Sequence, residues 1–219
     1  MKIATWNIER LRHRARLGII ETLCEQANAD ILVLTETDAS VKLNYKYCYK
    51  TPFLRELAPK AYTPMENRVS IYTNYKCKTR HATFDKQTAL CVELETERGN
   101  LLVYGTTIGI YGNRHRGFAE ELAKQLVDIK RLSSDNQNLC VCGDFNCSFA
   151  DSYYYTKSAR RAITESFSEN NLALLTKNRP ECIDHIAVSY KFVADSAVQI
   201  EEWNTDKKLS DHKGIIVSL

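Results

Sequence analysis

Leu139-Cys140-Val141-Cys142-Gly143-Asp144-Phe145-Asn146 carries a short apolar run straight into a polar turn. Four apolar residues bounded by glycine predict a buried strand, with Asp144 and Asn146 on the turn beyond it. Upstream, Leu122, Leu126, Ile129 and Leu132 recur at helical spacing across residues 118–132. Before that helix, residues 88–95 and 101–107 read as strands joined through Glu97-Arg98-Gly99-Asn100, an antiparallel hairpin. Nearer the N-terminus, residues 2–6 predict a strand. Residues 14–28 predict a helix on the period of Leu17, Ile20, Leu23, Cys24 and Ala27. Ile31-Leu32-Val33-Leu34 predicts a fully apolar strand running into Thr35-Glu36-Thr37-Asp38.

Residues 39–66 hold three of the four prolines and read mostly as loop, although Tyr45-Lys46-Tyr47-Cys48-Tyr49 equally suits an edge strand. Residues 68–74 read as a strand and 158–172 as a helix. Residues 183–188, 197–201 and 214–219 supply the last strands. Strand–helix–strand units mixed with hairpins imply an α/β or α+β fold with a mixed sheet, or two sheets packed face to face. No internal repeat or linker is legible, so residues 1–219 read as one catalytic domain.

At 219 residues the chain can bury a core without disulfide or metal staples. Its 30 basic and 27 acidic residues leave a net charge of +3, compatible with phosphate-bearing substrates but too small to indicate nucleic acid alone. No apolar run approaches the roughly 20 residues of a membrane span. The start, Met1-Lys2-Ile3-Ala4-Thr5-Trp6-Asn7, is too polar for a secretory signal. The eight cysteines therefore read as reduced thiols of a cytoplasmic protein, and no CxxC pair suggests zinc.

Five polar clusters stand at the ends of apolar strands: Asn7 with Glu9, Glu36, Asp144 with Asn146, Asp184, and Asp211 with His212. A single acidic residue there simply ends a strand. Repeated carboxylates joined by asparagine and histidine predict convergence at one sheet edge. Hard oxygen ligands, a hydrogen-bond donor and a proton shuttle are the equipment of a divalent-metal phosphoesterase.

Trp6-Asn7, Leu34-Thr35-Glu36, Gly143-Asp144-Phe145-Asn146, Ile183-Asp184-His185-Ile186 and Ser210-Asp211-His212 stand in an order and spacing that resemble the endonuclease/exonuclease/phosphatase superfamily. The resemblance runs from residue 6 to residue 212. It implies a deoxyribonuclease I-like four-layer sandwich, with two mixed β-sheets flanked by helices. It also implies Mg²⁺ or Mn²⁺ as cofactor. By the resemblance Glu36 is the main metal ligand, with Asn7, Glu9 and Asp211 on the metal side. Asp144 positions or deprotonates the attacking water, Asn146 contacts phosphate, and Asp184 orients a phosphate-contacting His212.

The segment Gly105-Thr106-Thr107-Ile108-Gly109-Ile110-Tyr111-Gly112-Asn113 departs from the histidine pair many members carry there. Tyr111 with Asn113, or Thr107, takes that place. Arg114 and Arg116 follow as substrate-binding cations. His185, one residue beyond Asp184 on a strand, is expected to face the core. Tyr153, Tyr154 and Tyr155 are expected to pack. The expected activity is phosphodiester hydrolysis on DNA or RNA, with phosphatase action on a small or lipid-derived phosphate as the alternative. A catalytically silent module ranks last, because the polar set is complete.

Overall fold

A computed structural model describes residues 1–134, 137–194 and 196–219. The chain begins with β1 (Lys2–Asn7), α1 (Leu17–Gln26) and β2 (Ile31–Asp38). Next come β3 (Tyr47–Lys50), β4 (Glu66–Thr73), β5 (Cys77–His81), β6 (Ala89–Thr96) and β7 (Gly99–Thr107). The second half holds α2 (Phe118–Ser133), β8 (Leu139–Asp144), α3 (Lys157–Glu169), β9 (Leu172–Leu174) and β10 (Asp184–Ser189). It closes with α4 (Tyr190–Val193), β11 (Gln199–Trp203) and β12 (Gly214–Ser218).

The strands form two six-stranded sheets, ordered β11-β12-β1-β2-β4-β3 and β5-β6-β7-β8-β10-β9. Each has one parallel pair at its centre, β1 with β2 and β7 with β8, and antiparallel neighbours elsewhere. A parallel pair needs a crossover, and α1 and α2 lie in the two connections. The same pairing pattern thus occurs twice, with no sequence repeat to announce it.

Strand alternation divides the apolar residues among three layers. Ile31, Val33, Val69, Ile71, Val92, Val103, Cys140, Cys142 and Ile215 pack between the sheets. Leu32, Leu34, Ala4 and Trp6 face outward, with Ile20 and Cys24 of α1 among them. Tyr104, Leu139 and Val141 meet Leu122, Ile129, Ile163 and Phe167 of α2 and α3. Central strands covered on both faces are apolar throughout, which explains their unbroken runs. The architecture is the expected four-layer sandwich.

Two elements differ from the sequence expectation, and one open alternative is decided. β5 is an exposed edge strand carrying Lys78 and Arg80, so it lacks apolar alternation; charge on an edge blunts strand addition. The helix at 158–172 stops at Glu169, because Asn171 turns into left-handed backbone (φ 55) and β9 begins at Leu172. Its start is set by Thr156, whose hydroxyl accepts from Ala159 N at 3.2 Å. The Tyr47–Lys50 stretch is the edge strand β3. All eight cysteines are free thiols, and no helix among the described residues is long and apolar enough to cross a membrane.

Candidate active site

The polar clusters gather where the two parallel pairs end. Asn7 closes β1, Glu36 lies near the end of β2, and Asp144 closes β8 opposite Thr107 of β7. Gly143 permits this approach. Its φ of 137 lies outside the range comfortable for other residues, and a Cβ there would meet Thr106 O at 1.9 Å. Asp144 is therefore the last strand residue, 1 % exposed, and not part of an open turn.

The sheets are stitched together through these groups. Asn7 Nδ2 donates to Asp144 Oδ2 at 3.0 Å, and Asn7 N donates to Asp184 Oδ1 at 3.0 Å. His212 Nδ1 lies 2.5 Å from Asp184 Oδ2. Burial alone would lower the His212 pKa; Asp184 above all, then Asp144 and Asp211, overcome it and carry the ring to about 10. The ring is therefore an imidazolium at neutral pH. Burial raises the Asp144 carboxyl against the opposing pull of His212.

Asp144, Asp184 and His212 form the one group of three potential metal donors within 4.8 Å of one another among the described residues. Asp184 is committed to His212 and the Asn7 backbone, so this constellation reads as acid–base machinery. Glu36 is a second candidate for holding a cation. Its side chain is 19 % exposed, and its carboxylate accepts no hydrogen bond among the described residues. Burial raises its pKa, and Arg68 is the strongest opposing influence. Its φ of 44 is unusual for glutamate and aims a strand residue out of the ladder. A nearly dry carboxylate lacking donors, with Asn7, Glu9 and Asp211 as further oxygen donors, suits a hard divalent cation.

Glu9 opens a run of three left-handed residues, Glu9, Arg10 and Leu11. Its Oε1 pairs with Arg12 at 2.6 Å, and its Oε2 accepts from Asp211 N at 3.3 Å. Asn7 Oδ1 accepts from Glu9 N at 2.8 Å and retains a lone pair. Asp211 is exposed, with Oδ1 3.5 Å from His212 Nε2.

Asn146 occupies a left-handed turn (φ 49) that folds its amide back into the protein. The amide donates to Asp144 Oδ2 at 3.2 Å and Ile108 O at 2.9 Å, so it braces Asp144 and offers no free donor. Asn113 is buried and donates to Asn146 O at 2.7 Å. Thr107 is fully buried, whereas Tyr111 is 70 % exposed with its ring 5.0 Å from His115. Arg114 and Arg116 are exposed and form no ion pair among the described residues. His185 is fully buried between Cys147 O and Thr176 Oγ1, and burial lowers its pKa to about 4.

Two contributors escaped the sequence. Tyr154 accepts from Asn113 N at 3.3 Å, so it supports the site while packing. Arg68, on β4, lies 3.7 Å from Glu36.

The sequence profile of the endonuclease/exonuclease/phosphatase family matches residues 4–212. The chain belongs to that family and is a metal-dependent phosphoesterase. A search of curated protein sequences found no match. Among solved structures it resembles a 3′ phosphatase from Neisseria bound to product DNA hairpin, at 18 % identity and TM-score 0.73, covering 100 % of this chain and 99 % of that one. An AP endonuclease from Archaeoglobus fulgidus aligns at 15 % identity and TM-score 0.71, with the same coverage. The beta toxin of Staphylococcus aureus aligns at 16 % identity and TM-score 0.65, again over 100 % and 99 %. At these identities the likeness shows a shared fold.

Proposed function

We propose that this family member hydrolyses phosphodiester bonds in nucleic acid, with Mg²⁺ or Mn²⁺ held at Glu36. The observation that carries the reading is the buried Asp144–Asn7–Asp184–His212 network beside an under-partnered Glu36. Asp144 orients the attacking water and takes its proton. His212, kept as imidazolium by Asp184, faces the phosphate and steadies its growing negative charge. Asn7 and Asn146 hold Asp144 in place. Glu36, with Asn7, Glu9 and Asp211 around it, would hold the cation, which supplies charge neutralisation at the phosphate and leaving oxygen.

The rim supports a polymeric substrate. Tyr111, Arg114 and Arg116 are exposed on the segment that holds buried Asn113, whose amide donates to Asn146 O. Near Glu36 a pocket is walled by Arg10, Arg12, Lys60, Tyr62, Thr63 and Glu66, so cations outnumber the single carboxylate. Aromatic rings interleaved with basic residues suit stacked bases and a phosphate backbone. The DNA-bound Neisseria neighbour and the archaeal AP endonuclease are consistent with this choice. A beta-toxin variant with bound magnesium ions supports the cofactor.

The test offers purified protein plasmid DNA, single-stranded DNA, RNA and a panel of phosphomonoesters, each with Mg²⁺ or Mn²⁺. Cleavage of a polymer is expected. Phosphate release from monoesters alone would replace the nuclease reading with the phosphatase one.

A further inference from the structure

Glu36 and Arg68 face each other across the β2–β4 ladder. Thr35 pairs with Val69 and Thr37 with Asn67, so the register sets Glu36 against Arg68 at the one unbridged step. The positive φ of Glu36 breaks the bridge there. The Arg68 side chain is 6 % exposed, with Nη1 3.7 Å from Glu36 Oε1. Its Nη2 donates to Tyr62 Oη at 2.9 Å, and the guanidinium lies 5.4 Å from the Tyr62 ring centroid. Arg10 also rests against that ring, at 4.9 Å, but it is engaged by Glu66 Oε1 at 2.7 Å and Ala61 O at 2.9 Å. Among the described residues, Arg68 is the sole cation within ion-pair distance of Glu36.

A carboxylate largely withdrawn from water, as that of Glu36 is at 19 % exposure, gains from a positive partner, and Arg68 supplies one. The contact is longer than a hydrogen bond, so it can be exchanged without breaking one. A divalent ion at Glu36 would bring two cations against the same carboxylate, and they repel. A guanidinium displaced from a carboxylate has donors that match phosphate oxygens.

We propose that Arg68 is the resident counter-cation of Glu36: it competes with the divalent metal for the carboxylate and turns to a phosphate anion when one enters the cleft. Metal and anion then bind to mutual advantage through Arg68, and the coupling is reciprocal. The inference rests on Glu36 as the metal ligand, not on the identity of the polymer.

The experiment is calorimetric titration of the metal-free full-length protein with Mn²⁺, with and without inorganic phosphate. Without phosphate, Arg68→Met should bind Mn²⁺ about tenfold more tightly than wild type, since a competing charge is gone. The improvement in Mn²⁺ affinity that phosphate gives the wild type should largely vanish in the variant. Arg68→Lys, which keeps the charge, should stay within about threefold of wild type. If Arg68→Met does not fold, Arg68→Gln makes the same test while retaining donors toward Glu36 and Tyr62. Unchanged or weaker Mn²⁺ binding in the neutral variant overturns the proposal and leaves Arg68 a brace for Glu36. Glu36→Gln separates the two readings. Lost Mn²⁺ binding there, with no change in Arg68→Met, overturns the role of Arg68 alone. Retained binding in Glu36→Gln overturns the assignment of Glu36 and that of Arg68 with it.

Discussion

On the β8–β10 side of the cleft, Asp144 and Asp184 are each 1 % exposed, and every carboxylate oxygen accepts a hydrogen bond. On the β1–β2 side, Glu36 accepts none among the described residues, sits at positive φ and meets Arg68 only at 3.7 Å, while Asp211 is open to solvent. Both walls arise where strands of the sandwich end in polar residues: Asp144 closes β8 beside Asp184 at the start of antiparallel β10, and Glu36 lies near the end of β2 in the parallel pair β1–β2. They differ in what their carboxylates await. On the proposed assignment, proton transfer and phosphate contact need groups fixed to within a fraction of an ångström, which a dry and satisfied wall supplies. A wall proposed to admit a cation leaves lone pairs unspent, with left-handed backbone at Glu36 beside them.

The comparison breaks first, and with the largest effect, on metal. Exhaustive chelation should abolish hydrolysis, and Mg²⁺ or Mn²⁺ should restore it. Full activity in metal-free protein would mean that the open wall awaits something else. Next in size is Asp144→Asn, which keeps the shape of the satisfied wall and removes its base. Turnover at saturating metal should fall by roughly 10²-fold or more, measured on the best substrate found. A near-wild-type rate would remove Asp144 from the chemistry.

The walls should also separate in stability. Asp184→Ala strands the Asn7 N–H and the His212 imidazolium in a buried site and should cost about 2–4 kcal/mol in denaturant unfolding. The size of that cost follows from the burial of Asp184 and from its bonds to Asn7 N and His212 Nδ1. Asp211→Ala, on exposed ground, should stay within about 0.5 kcal/mol. Equal losses would erase the distinction between the walls.

The smallest effect lies behind Asp184, at His185. An unfolded histidine titrates near 6.5, whereas burial holds this one at about 4. Between those values the unfolded chain binds the extra proton. The stability contributed by the neutral buried ring is thus complete above pH 6.5 and is lost as pH falls toward 4. Wild type should lose about 2 kcal/mol between pH 7.5 and pH 5 from this group. His185→Gln should show a correspondingly flatter profile; an identical slope would show that other groups set the acid limit.

Much of this is legible in the sequence. Leu139–Cys142 running into Gly143-Asp144, and Ile31–Leu34 into Thr35-Glu36, mark strand ends because covered strands need unbroken apolar residues while their ends do not. The Asp184–His212 pairing followed from the family resemblance and recurs as a hydrogen bond. The three-residue β9 and the charged edge β5 were illegible, because neither is buried on two faces. The resemblance implies that Asn146 contacts phosphate; in the structure a left-handed turn directs its amide to Asp144 Oδ2 and Ile108 O, a conformation its sequence position does not announce.

The sequence by itself determined the central strands, the helices that cover them, the order of the polar clusters and the family, because apolar periodicity and short motifs are local properties of the chain. Tertiary structure alone decided which clusters became a dry network and which stayed open to a cation. It also set Arg68 opposite Glu36, 32 residues away along the chain but 3.7 Å apart across the ladder. That outcome follows from strand register and from the depth at which each strand ends between the two sheets. Burial and cross-strand neighbours are fixed only when the sheets assemble, and they set the charge each carboxylate carries and the partner it keeps.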